Sequence, residues 1–132
     1  MRVFVLFLFC TLLACSNKKS SPEVQALYDQ VMEVHDDVMP ETSTIHKLKK
    51  NLRKNYSGDS LAMVLIANLD AADESMMSWM SEFGEYKKIK SDEDHVRLDY
   101  LNNELIRISD VRDEMLSAIA EARKFIESHD AD

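Results

Sequence analysis

Between Val24 and Ile126, apolar side chains recur every third or fourth position. Val24, Leu27, Val31, Val34, Val38, Ile45, Leu48 and Leu52 fall on one seam, and Ala62, Leu65, Leu69, Ala72, Met76, Trp79 and Phe83 on a second. Leu98, Leu101, Leu105, Ile108, Met115, Ile119, Ala122 and Ile126 form a third. A repeat of about 3.5 residues is the signature of helices packed along a shared face, and no stretch alternates as a strand does.

The punctuation agrees with three elements. Pro22 suits the first turn of a helix; Ser57, Gly58, Asp59 and Ser60 supply a stop and a new cap; Ser91, Asp92, Glu93 and Asp94 put acids at a helix start. Lys47, Lys49, Lys50, Arg53 and Lys54 gather where the first helix ends, complementing its dipole. The expectation is an all-α fold, an up-down-up antiparallel three-helix bundle over residues 23–128 with a tail at 129–132. Pro40 conflicts with a continuous first helix because it lacks an N–H and crowds the Asp36 carbonyl. Since the heptad phase persists from Val24 to Leu52, the pattern favours one Pro-kinked helix over two.

Folding this bundle about its two short connections sets His35 level with Met80, Met39 level with Met76, and His95 at the height of Met80. The same register leaves Ile119, Ala122, Phe125 and Ile126 on turns that outrun the first helix by roughly 18 Å. Glu41 and Arg112, each near a seam, are expected to bury their stems and keep their charges in water.

The N-terminus carries a different signal. MRVFVLFLFCTLLAC has a basic Arg2, an apolar run from Val3 to Leu13, and a small residue before Cys15. That is a secretory leader, too short to remain as a membrane span. Leu12, Leu13, Ala14 and Cys15 also make a lipobox like those of bacterial lipoproteins. Residues 1–14 are therefore expected to leave as a signal peptide. Cys15 would take lipid, and residues 15–22 would tether the bundle to the membrane. In this arrangement Lys18, Lys19, Lys87, Lys88 and Lys90 face the headgroups.

The chain has two cysteines, Cys10 and Cys15. With one lost and the other lipidated, neither a disulfide nor a zinc–thiolate site nor a cysteine nucleophile is available. Sixteen basic against 24 acidic side chains give a net charge of −8, which argues against nucleic acid as a partner. No Gly-rich phosphate loop, CxxCH, HExxH or repeated ExxH occurs, so an enzyme is not expected.

One cluster has chemical character. Beside the first seam runs a stripe of Tyr28, Met32, His35, Met39, Thr42 and His46, at steps of four and three. In the expected register Met32, His35 and Met39 face Met76 and Met80, with His95 and Trp79 nearby. Thioethers with imidazole, without thiolate or carboxylate, suit a soft ion such as Cu(I), and Trp79 would add a cation–π contact. His46 lies too far along the axis to share that ion. The plainer reading is that the methionines fill the core, where Met beside Trp or Phe packs well.

The stretches VMEVHDDVMPETSTIHKLKKNL and ADESMMSWMSEF, with the lipobox before them, resemble a family of small helical lipoproteins of Bacteroidota often labelled "viral A-type inclusion protein". The resemblance covers most of the chain after the leader. It is strongest at His35, Asp36, Met39, Pro40, Met76, Met77, Trp79 and Met80. It implies a lipoprotein and a helical fold, and it names no activity. The expected function is that of a non-enzymatic interaction or structural lipoprotein of the cell envelope, lipid-anchored at the outer membrane and facing the periplasm. Its partner would be an envelope protein or a second copy. Copper binding through the Met/His cluster is the alternative.

Overall fold

In a computed structural model, residues 20–84, 86, 89 and 93–130 are described. The expected leader, Cys15, most of the expected tether, the five lysines expected at the headgroups, and Ser91 with Asp92 lie outside the described residues. All regular structure among those described is helical: α1 (Pro22–Val38), α2 (Glu41–Asn55), α3 (Ser60–Phe83) and α4 (Asp94–Asp130). No helix among them is long and apolar enough to cross a membrane.

Local chemistry accounts for the helix starts. Ser21 accepts a hydrogen bond from the Val24 amide, with Pro22 inside the first turn. Asp59 accepts from the amides of Leu61 and Ala62 at 2.7 and 2.9 Å, satisfying two of the free donors at the start of α3. Met39 and Pro40 separate α1 from α2, yet both keep right-handed helical backbone angles. The apolar phase crosses this break intact, because Val24, Val31, Val38, Ile45 and Leu52 lie seven residues apart and all are buried. Leu101, Ile108, Met115 and Ala122 repeat the spacing on α4, and every position of the α3 seam is buried. Burying one such large aliphatic side chain contributes about 1.5–3 kcal/mol, so these repeats make the core.

α4 packs against each of the other helices, and α2 also packs against α3. Tyr28 meets Phe83 at 5.8 Å between ring centroids, His46 lies 3.2 Å from Asp73, and Arg53 lies 3.4 Å from Asp70. Arg97 donates to Ser20 at 3.3 Å, and Tyr56 donates to Asp130 at 2.8 Å. The start of α4 is therefore level with the start of α1, and its end with the end of α2.

That register corrects the expected position of the third helix. α4 has 37 residues, against 17 in α1 and 15 in α2, so the joined pair and α4 have nearly equal lengths. α3, with 24 residues, is the short member. α4 begins level with Ser20, beyond the end of α3 that meets Tyr28, and ends level with Tyr56, so it does not outrun its neighbours. His129 and Asp130, expected in the tail, belong to α4, where His129 packs on Phe125 at 4.1 Å. A second correction concerns Glu41: its Oε2 is buried and has no hydrogen bond among the described residues. Arg112 does keep its charge toward water, paired with Asp113 at 2.8 Å.

Candidate functional site: an aromatic-walled pocket beside His35

The stripe on α1 and the end of α3 enclose a cavity of about 220 Å³, lined by Tyr28, Met32, His35, Trp79, Met80, Phe83, Gly84 and Tyr86. Tyr28, Met32 and His35 follow at steps of four and three, which places them on one helix face. Trp79, Met80 and Phe83 come from the last turns of α3, and Gly84 and Tyr86 from the connection beyond it.

The walls are stacked rings. His35 stacks on Trp79 at 5.5 Å with an interplanar angle of 29°, and Trp79 stacks on Phe83 at 4.7 Å and 13°. Phe83 continues to Tyr86 at 5.9 Å and to Tyr100 at 6.4 Å. Offset stacks of this kind add about 0.5–1.5 kcal/mol per pair beyond the area they bury. Burial pushes the Tyr86 phenol above its ordinary pKa. The Trp79 Nε1 is buried without a hydrogen-bond partner among the described residues.

His35 is held from outside the pocket. Its Nδ1 lies 2.9 Å from Oδ1 of Asp36, while its side chain is only 13% exposed. An ionised carboxylate can only accept, so in the neutral ring Nδ1 carries the proton and Nε2 carries the lone pair. Nε2 has no hydrogen bond among the described residues.

Of the residues singled out from the sequence, Met32, His35 and Met80 meet at this pocket with Trp79. Met76 is fully buried in the core, and Met39 is half-buried against it. His95 is elsewhere: it lies in the first turn of α4, exposed and 3.4 Å from Glu93, because α4 begins level with Ser20 rather than with Met80. His46 pairs with Asp73, apart from His35 as its spacing implies. Among the described residues no three His, Cys, Asp or Glu side chains converge on one point.

A second concavity, of about 540 Å³, lies between α3 and α4 and is lined by Glu74, Ser75, Ser78, Trp79, Arg107 and Asp110 among others. Arg107 bonds both Glu82 and Glu104, the latter at 2.9 Å. The Arg107 guanidinium, with help from Ser78, holds the Glu82 carboxyl below its ordinary pKa, and the pairing raises Arg107 in turn. Glu104 is 3% exposed, and its Oε2 has no partner among the described residues. Sequence reasoning missed this network. The available signal was an acid at position 104, one helical step from the seam residues Leu101 and Ile108, with an arginine three residues on.

No protein-family model matches this chain, and neither a curated protein nor a solved structure matches it.

Proposed function

We propose that the chain is a membrane-tethered lipoprotein of the bacterial cell envelope that works by binding rather than by catalysis. Its frame is an up-down-up antiparallel bundle whose first rod, α1 with α2, is kinked at Pro40. The paired contacts Ser20–Arg97, Tyr56–Asp130 and Tyr28–Phe83 support that frame. Cys15 carries the lipid, and the remaining tether keeps the bundle within about 25 Å of the bilayer. The anchor is at the outer membrane, with the bundle in the periplasm.

The observation that carries the binding role is the apolar pocket at the level of Tyr28 to His35, near the tethered end. It is walled by aromatic rings of Tyr28 on α1, of Trp79 and Phe83 on α3, and of Tyr86 just beyond α3. Recessed apolar surface with few polar groups is the usual form of a recognition site. An envelope protein or a second copy of the chain is the partner this reading calls for, and the acidic balance disfavours nucleic acid.

The anchor is tested by expressing wild type and Cys15→Ser with a palmitate analogue in the medium and fractionating the cells. Wild type should take up label and sediment with membranes, and the variant should do neither. Unlabelled wild type, or membrane association that survives the substitution, would refute the lipoprotein reading.

A further inference from the structure

We propose that Met32, His35 and Met80 form a site for one soft monovalent cation, of the Cu(I) or Ag(I) type, covered by the ring of Trp79. This goes beyond the envelope-binding role and does not depend on it. The three side chains line one cavity with room for an ion, and they supply two thioethers and one imidazole. Neutral sulfur and nitrogen donors select soft, singly charged metals, whereas harder divalent ions favour carboxylates, and no carboxylate or thiol side chain is in this lining.

Three further features distinguish the site from core packing. First, the methionine that serves as filler is a different one: Met76 has no exposed surface, whereas Met80 is 36% exposed and Met32 half-buried at the pocket wall. A thioether used only as filler would leave no cavity beside it. Second, His35 is prepared as a ligand. Asp36 occupies Nδ1 at 2.9 Å, which orients the ring and leaves the Nε2 lone pair without a hydrogen bond among the described residues. A carboxylate behind the distal nitrogen is the usual support of a metal-binding histidine, and it also places a negative charge near the cation. Third, Trp79 presents a ring within stacking distance of His35, so an ion bound at Nε2 gains cation–π stabilisation from the same wall.

Trp79 is the chain's single tryptophan, so its fluorescence reports on the site directly. The full-length chain, purified in detergent, is titrated with Ag(I) as a redox-inert probe. It is then titrated anaerobically with Cu(I) against a competing chelator. One equivalent should bind and quench Trp79. Met32→Leu and Met80→Leu keep side-chain volume while removing sulfur, and each should weaken binding by about tenfold or more with little change in melting temperature. His35→Gln should weaken it further, and Asp36→Asn by about 10- to 100-fold. Met63→Leu, at an exposed methionine distant from the pocket, should change nothing. Equal affinity in wild type and the folded Met32→Leu/Met80→Leu double variant would overturn the site. So would binding that leaves Trp79 fluorescence unchanged.

Discussion

The Tyr56 hydroxyl donates a hydrogen bond of 2.8 Å to Asp130, joining the end of α2 to the end of α4. Phe125 and His129 enclose the same phenol, with ring centroids 5.2 and 5.7 Å away. With Arg97 on Ser20 at the opposite end, this pair brings α4 level with α1 and α2 at both ends.

Tyr56 therefore titrates abnormally. The hydrogen bond to the Asp130 carboxylate, followed by burial and the carboxylate's charge, raises its pKa. A raised pKa means that the folded state favours the protonated phenol. The resulting stabilisation is fully present below the unfolded value, near 10, and is lost as pH rises through the folded value. Tyrosinate absorbance should show a late-titrating phenol in wild type that returns toward the ordinary value in Asp130→Asn and disappears in Tyr56→Phe. Superimposable curves for wild type and Asp130→Asn would argue against the contact.

Neighbouring methionines should behave oppositely. Met76 is fully buried and Met77 is 56% exposed. Met76→Ala should cost about 2–5 kcal/mol in urea unfolding because it empties a packed site. Met77→Ala should stay within about 0.5 kcal/mol. Similar losses for the two would contradict the assigned helix face.

The buried Glu104 makes Arg107 structurally important. Arg107→Ala leaves a carboxylate that is 3% exposed without its cation, and should cost about 1–3 kcal/mol. Adding Glu104→Leu removes the stranded charge and supplies apolar surface, so the double variant should be more stable than Arg107→Ala alone. Simple addition of two losses, measured as a double-mutant cycle, would show that the pair is not coupled.

Pro40 should be tolerant where a mid-helix proline is not. It stands in the break between α1 and α2, with a φ of −60° that alanine also adopts. Pro40→Ala should change stability by no more than about 1 kcal/mol. Lys47→Pro, at an exposed position inside α2, should cost about 3 kcal/mol or more by deleting a helical hydrogen bond. Thermal melts of the two variants decide this, and equal losses would mean that Pro40 interrupts nothing.

Several features follow from the amino-acid sequence alone. The spacing of Val24, Val31, Val38, Ile45 and Leu52 names the buried face of the first rod, and Asp59 marks the start of α3. Such features are legible because a helix places i, i+3, i+4 and i+7 on one side whatever surrounds it. The stripe of Tyr28, Met32 and His35 on α1, and its meeting with Trp79 and Met80, were readable for the same reason: a short turn at Gly58 leaves little freedom in how α3 returns.

The height of α4 is what only the tertiary structure decided. It lies about two heptads, or roughly 20 Å, from the position expected of a tight second turn. A heptad seam repeats every seven residues, so sliding one helix by whole heptads again presents an apolar stripe to the core, and periodicity cannot distinguish the registers. Non-repeating contacts select one: Phe83 and Tyr86 against Tyr100, Arg107 between Glu82 and Glu104, and Tyr56 on Asp130. The same slide carries His95 away from Met80 and leaves Met32, His35 and Met80 at the pocket, because side chains on neighbouring helices meet only when packing sets those helices at the right height.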